Sequence, residues 1–256
     1  MGKLTYTDHG GPFVPSTKGF RGYTIYTNDF SDVVQMYIWK NNLEYTDALE
    51  DYRVWLQLLG RHRGLECDHR EELEEVVYNV EMLTLHSKND TTIVKGKAEA
   101  YCEKHGITQR TGSPYLHENN SRAKVLNKLI QARARAMLLT AGLPATMWPL
   151  SMMHSAYVVN RTPKAGMAVA SSYGKLGWPP RLDELRIFGS TAHAFVDPKL
   201  RTELQDRATR LIYVGHDETS TAYLLYSSER EKIVRSGMIK QFRAGEDCTV
   251  RNGQVR

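Results

Sequence analysis

The stretch that decides the fold lies at residues 23–39 and reads YTIYTNDFSDVVQMYIW. Two runs rich in β-branched and aromatic residues, 23–27 and 33–39, flank a polar turn, which is the pattern of a β-hairpin. Upstream, residues 4–8 are predicted to form a short strand that ends at the turn HGGP, 9–12. The chain is therefore predicted to open with three strands.

Helical and strand patterns alternate after the hairpin. Apolar residues at helical spacing predict helices over 43–59, 93–105, 121–140 and 145–160. A loop is predicted over 60–68, a short acidic helix over 71–78, and strands over 80–85 and 107–109. This order of elements predicts a mixed α/β domain over residues 1–165.

The character of the sequence changes after a linker, 166–184, that contains proline and glycine. Five β-prone runs follow, at 185–188, 192–196, 209–213, 222–226 and 232–239. Short strands separated by turns predict a small all-β barrel over 185–243. The polar tail, 244–256, is predicted to be disordered.

Charge is unevenly distributed along this chain of 256 residues, which carries a net charge of +5. Residues 121–164 contain seven basic side chains and no acidic one, whereas acidic side chains dominate 44–81. A basic segment of this kind points to nucleic acid, and an acidic one to a basic partner. The sequence has no apolar run long enough to span a membrane, we expect no secretory signal, and the three widely spaced cysteines indicate free thiols. We expect an intracellular protein, in the nucleus or the cytoplasm, with no membrane partner.

A set of motifs runs in order along the chain: TDHGGP at 7–12, YCEKHGI at 101–107, SPY at 113–115, DRA at 206–208 and YVG at 213–215. Together they resemble the integrase segment of copia-type LTR retrotransposon polyproteins and the SH3-like domain that follows it. The resemblance implies an α/β fold: an RNase H-like mixed five-stranded sheet with flanking helices, followed by a small all-β SH3-like barrel.

The family's chemistry is DNA integration by strand transfer, in which two Asp and one Glu hold two divalent ions, Mg²⁺ or Mn²⁺. Those three positions fall on Asp8, Lys88 and Lys124, and the 35 residues between the last two, 89–123, match the family's spacing. A lysine ammonium has no lone pair and cannot coordinate a metal ion. We therefore expect a degenerate site without a metal cofactor and without strand-transfer activity.

Nucleic-acid binding is the function expected to remain, to DNA or RNA, through the basic residues Lys88, Arg122, Lys124, Lys128, Arg133 and Arg135. Two alternatives stay open. One is an active metal-dependent integrase with the shifted ligand set Asp8, Asp90 and Glu118. The other is a protein-interaction module derived from an integrase, with a homo-oligomer among its assemblies. The sequence is compatible with a polyprotein fragment, a decayed element copy or a host protein derived from one.

Overall fold

The computed structural model describes residues 4–28, 33–41, 45–66, 84–87, 97–111, 121–163, 182–196, 202, 206–217, 220–243, 250–251 and 254–255. The predicted acidic helix over 71–78 and most of the predicted linker lie outside these residues. The chain divides into two compact units, Met1–Ile130 with Ala156–Pro180 and Gln131–Ser155 with Arg181–Arg256. The second unit thus includes the end of one long helix and the start of the next, besides the C-terminal strands.

Five strands form the sheet of the first unit: β1 Leu4–Gly10, β2 Gly22–Asn28, β3 Val34–Trp39, β4 Thr84–Ser87 and β5 Thr108–Thr111. Their order is β3-β2-β1-β4-β5. The first three strands pair antiparallel, whereas β4 pairs parallel with β1 and β5 pairs parallel with β4. The predicted hairpin at 23–39 is present as β2 and β3.

Four α-helices are described: α1 Tyr45–Glu66, α2 Lys97–Lys104, α3 Ser121–Ala141 and α4 Trp148–Arg161. A 3₁₀ turn, Ala145–Met147, precedes α4. The predicted loop over 60–68 is wrong over most of its length, because α1 continues to Glu66. This part of α1 contains Gly60 and Gly64; each glycine costs a helix interior about 1 kcal/mol, and neither ends the helix.

Helix α1 packs on the first sheet through aromatic side chains. Tyr52 of α1 stacks on Tyr26 of β2 with ring centroids 4.5 Å apart. The Tyr52 hydroxyl lies 3.2 Å from the Thr5 hydroxyl of β1, and Leu49 and Leu85 complete the buried cluster. Helix α4 is tied to β3 because the Asn160 amide bonds both the N–H and the carbonyl of Val34, at 2.8 Å each.

The second unit contains five antiparallel strands: β6 Thr191–Phe195, β7 Ala208–His216, β8 Tyr223–Ser227, β9 Lys232–Ser236 and β10 Ile239–Arg243. Their order is β10-β6-β7-β8-β9, and the sheet buries Tyr213 and Leu225 in its core. Pairing among the described residues leaves β9 and β10 as edges. Closure into a barrel therefore stays a prediction.

Three local predictions in this unit differ from the structure. Residues 185–188 form no strand, because local turn bonds (Leu185 N–H to Leu182 O, Ser190 N–H to Ile187 O) engage their backbone. The single run predicted at 232–239 is two strands, divided at Gly237. The tail predicted to be disordered contains a short ladder between β11, Val250–Arg251, and β12, Gln254–Val255. Among the described residues, no helix is long and apolar enough to cross a bilayer.

Candidate functional site

The candidate site begins at the end of β1, where Asp8 precedes His9 and Gly10. Asp8 is opposite Ile25 of β2 in the sheet register and is partly exposed. Its Oδ2 accepts a hydrogen bond of 2.8 Å from Nδ2 of Asn127, which lies on α3. The Asn127 residue is 6% exposed, so this bond joins a strand end to the inner face of a helix.

The carbonyl oxygen of the Asn127 amide forms a hydrogen bond as well. Its Oδ1 accepts a hydrogen bond from the hydroxyl of Tyr23, a fully buried residue of β2. One amide therefore links β1, β2 and α3, and its donor and acceptor assignments are fixed together: the nitrogen faces the carboxylate and the oxygen faces the phenol.

Gly10 makes room for this arrangement. It is the register partner of Tyr23, and a Cβ at Gly10 would overlap the Tyr23 ring. The Tyr23 ring also stacks against Phe13, with centroids 5.8 Å apart and planes 4° from parallel. A side chain at Gly10 would push Tyr23 away from Asn127, so the glycine of the TDHGGP motif has a packing role.

A second buried polar group braces the same strand end. The hydroxyl of Thr24 lies 2.9 Å from Nδ1 of His9 and accepts a 3.2 Å hydrogen bond from the indole N–H of Trp39. Thr24 is fully buried. Thr24, the residue after Tyr23, thus links β1, β2 and β3 next to Asp8.

The helix that reaches Asp8 is strongly basic. Lys124 lies three residues before Asn127, one helical turn nearer the start of α3, and is partly buried. Arg122 and Lys128 are exposed on the same two turns, and α3 has no acidic residue in its first turn. Farther along, Arg133 is partly buried and Arg135 is exposed. The α3 side chain that bonds Asp8 is thus a neutral amide, and the charged side chains of α3 are all cationic.

The structure brings two of the sequence-predicted regions together and leaves others untested. Asp8 meets α3 at Asn127, one turn after Lys124. Lys88 lies just beyond Ser87, the last residue of β4, and is outside the described residues, as are Asp90 and Glu118. Convergence of Asp8, Lys88 and Lys124 stays a prediction, and so does the alternative ligand set.

A pair of divalent ions does not fit the described part of this site. Asp8 is one carboxylate, one of its oxygens already accepts a hydrogen bond from Asn127, and Lys124 offers no lone pair. Within the described ranges, no group of three or more His, Cys, Asp or Glu side chains is placed to hold a metal ion. No chemical step through a metal ion is derived from these residues.

The chain is similar to one known domain family and to three transposon polyproteins. Residues 190–240 match the family of the retroviral polymerase SH3-like domain. Over 99% of its length the chain is 25% identical to the retrovirus-related Pol polyprotein from transposon TNT 1-94 of Nicotiana tabacum. It is 25% identical over 86% of its length to the corresponding polyprotein from transposon RE2 of Arabidopsis thaliana, and 23% identical over 95% to that from transposon RE1.

The chain is homologous to retrovirus-related Pol polyproteins of plant copia-type transposons. It spans 14% to 17% of the length of these Pol relatives. A simian T-cell lymphotropic virus intasome in complex with PP2A regulatory subunit B56 gamma, solved by cryo-EM, aligns over 95% of this chain and 79% of that chain. That alignment has a TM-score of 0.48 and 11% identity, which is too distant a similarity to define the fold.

The sequence alone does not indicate the roles of Asn127, Tyr23 and Gly10. Asn127 could have been found from the helix pattern, because it is the one strongly polar residue among the buried positions of α3; the others are Ala123, Leu126, Ile130, Ala134 and Ala141. A polar side chain on an apolar helix face needs a partner in the core. The partner, Asp8, lies 119 positions away, and only the tertiary structure identifies it.

Proposed function

We propose that this chain is an integrase-like part of a Pol polyprotein that lacks strand-transfer activity and binds nucleic-acid backbones along α3. Residues 1–165 would be the RNase H-like core and residues 185–243 the SH3-like barrel. The observation that carries the proposal is the contact between Asp8 and α3, with Lys124 one turn from it.

The sheet order supports the first part of this proposal. Three antiparallel strands followed by two parallel ones, with Asp8 near the end of the central strand β1, are compatible with the mixed five-stranded sheet that the integrase resemblance implies. The long helix that contacts Asp8 is α3, the helix on which the family's third acidic position falls. That position is Lys124 in this chain.

Charge supports the second part. Three ionised carboxylates would give the site a charge of −3, whereas Asp8, Lys88 and Lys124 together give +1. A site of that sign attracts phosphates without a bridging metal ion. Arg122, Lys128 and Arg135 are exposed on the same helix and extend the positive surface along it. Such contacts give backbone affinity without base specificity.

Strand transfer on a labelled oligonucleotide distinguishes this proposal from the active integrase with Asp8, Asp90 and Glu118. With Mn²⁺ or Mg²⁺ present, the expected result is no product above that of an Asp8→Ala control. Binding of the same oligonucleotide without metal should be measurable at low salt. Metal-dependent product that Asp8→Ala abolishes would overturn the proposal and favour the shifted ligand set.

The protein-interaction alternative is distinguished by the salt dependence of nucleic-acid binding. Backbone binding weakens steeply as salt rises because condensed counterions are released. A chain whose oligonucleotide binding is absent at low salt, or independent of salt, would not be a backbone-binding protein. The interaction module would then be the better account of the retained fold.

A further inference from the structure

Helix α3 has an exposed apolar stripe on the side opposite its buried positions. The stripe consists of Val125, Leu129, Ala132, Ala136 and Leu139, and we call it the α3 seam. All five residues are exposed, with Val125 at 63% and Leu139 at 76%. Because the five positions lie on one continuous helix, their alignment follows from the helix itself.

The spacing of the α3 seam alternates between four and three residues from Val125 to Leu139. This is the spacing of the a and d positions of a coiled-coil heptad, which line one side of a helix and pack against a second helix. At a rise of 1.5 Å per residue, the seam is about 21 Å long. Single exposed apolar residues are ordinary on protein surfaces, but a continuous heptad stripe indicates a helical partner.

The residues flanking the seam select the partner's charge. In the heptad frame, Lys128 and Arg135 occupy g positions and Arg133 occupies an e position, and α3 contains no acidic residue at all. The e and g positions of paired helices face one another. Pairing of two copies of α3 would therefore oppose lysine and arginine with lysine and arginine, which is repulsive in either orientation.

We propose that the α3 seam is a docking surface for an amphipathic helix of a partner protein whose apolar seam is flanked by acidic side chains. Glutamates at the partner's e and g positions would meet Lys128, Arg133 and Arg135, while its leucines would cover Val125 and Leu139. A phosphate backbone finds no complementary group in the apolar centre of this stripe. The proposal does not depend on the proposed nucleic-acid function.

The test titrates the full chain, without nucleic acid, with two synthetic helical peptides of about four heptads. Both have leucine at a and d; one has glutamate at e and g and the other has lysine. The glutamate peptide should bind saturably and at least about tenfold more tightly than the lysine peptide. Equal affinities for the two peptides, or no saturable binding of the glutamate peptide, would overturn the proposal.

Two double variants and one control show where on the chain the glutamate peptide binds. Val125→Gln with Leu139→Gln should weaken the glutamate peptide at least about tenfold. The matched control, Leu182→Gln with Ile187→Gln, removes apolar residues that are 56% and 64% exposed and should leave the affinity unchanged. Lys128→Glu with Arg135→Glu should reverse the preference toward the lysine peptide, a gain that a misfolded variant cannot produce.

The same variants also test two other occupants of the α3 seam, a second copy of the chain and nucleic acid. Sedimentation of the chain alone reports self-association, and self-association that Val125→Gln with Leu139→Gln abolishes would assign the seam to a second copy. If that same double variant lost DNA affinity as strongly as peptide affinity, the seam would belong to the nucleic-acid surface. Either result would overturn the proposal.

Discussion

Asn127 on α3 donates a 2.8 Å hydrogen bond to Asp8 at the end of β1, across 119 positions of sequence. The same amide accepts a hydrogen bond from Tyr23 of β2. A neutral amide therefore holds the carboxylate at the strand end, and the cation Lys124 lies one turn away on the same helix. The contact therefore both holds β1 against α3 and places Asp8 against the helix that carries Lys124.

Asn127→Asp tests that relationship directly. The substitution keeps the shape of the side chain but places a second carboxylate beside Asp8 and leaves no donor between them. We expect the free energy of unfolding at pH 7 to fall by about 1–3 kcal/mol, measured by urea titration. Part of the loss should be recovered near pH 4, because one proton shared by the two carboxyl groups relieves their repulsion.

Asn127→Leu is the uncharged control for this experiment. It removes both hydrogen bonds without adding a charge, so its loss of stability should change little between pH 7 and pH 4. If Asn127→Asp showed the same flat pH response as Asn127→Leu, Asp8 would not be adjacent to residue 127 in the folded chain.

Gly10→Ala should destabilise the chain by about 1–3 kcal/mol, because the new methyl group overlaps the Tyr23 ring and must displace it. Gly237→Ala is the matched control, since a Cβ there has no atom within 4 Å. The control should be neutral or stabilising by up to about 1 kcal/mol. Thermal melting of both variants measures the difference, and similar melting temperatures would contradict the packing role of Gly10.

Cys102 should be unreactive in the folded protein. It is 2% exposed, and burial raises the pKa of its thiol, opposed by a smaller effect of the hydrogen bond from Gln109. In a background of Cys67→Ser with Cys248→Ser, iodoacetamide at pH 8 should modify Cys102 slowly and urea should accelerate the reaction strongly. Rapid modification without urea would show that α2 does not bury this side chain.

The raised pKa of Cys102 also predicts how the stability of the chain changes at alkaline pH. The folded chain keeps the Cys102 proton at a pH where the unfolded chain releases it, so the unfolding free energy should fall above about pH 8.5. Cys102→Ala in the same background should remove this contribution to the slope. If the slope of the unfolding free energy against pH did not change, the Cys102 thiol would not be the cause of the alkaline loss of stability.

Much of the first unit could be predicted from local sequence. The hairpin at 23–39 and the helix beginning at Ser121 have strong β-branched and amphipathic patterns, and both are present. The stretch 185–188 has equally β-prone residues but forms turns, because a strand also needs a neighbouring edge to pair with. The helix through residue 60 is the converse case, in which neighbouring helix formers outweigh a glycine.

The candidate site was predictable only in part. The 35-residue spacing, 89–123, leads to the prediction of Lys88 and Lys124, and the TDHGGP motif to that of Asp8; of these, the structure describes Asp8 and Lys124. The helix pattern marks Asn127 as a polar residue on a buried face, but its partner was not predictable, because Asp8 lies 119 positions away. The structure supplies that contact and, with it, the packing reason for Gly10.

Divalent metal ions should not stabilise the chain. A ligand that binds only the folded state adds about 2.7 kcal/mol at a hundredfold excess over its dissociation constant, which corresponds to a melting rise of a few degrees. Because the proposed third carboxylate position falls on Lys124, we expect no saturable rise in melting temperature with Mg²⁺ or Mn²⁺. A saturable rise that Asp8→Ala abolishes would indicate a working carboxylate set.

The salt dependence of duplex DNA binding, measured without metal, tests the central claim most directly. Each neutralised phosphate contributes about 0.9 to the slope of log K against log salt. Lys88→Asp with Lys124→Glu should weaken binding and flatten the slope by roughly one to two units. The control is Lys104→Glu with Lys232→Asp, which makes the same charge change at exposed lysines of α2 and β9 and should have a smaller effect. If the Lys88 and Lys124 variant kept both its affinity and its slope, the lysines would not form a phosphate-binding site and the account would be contradicted.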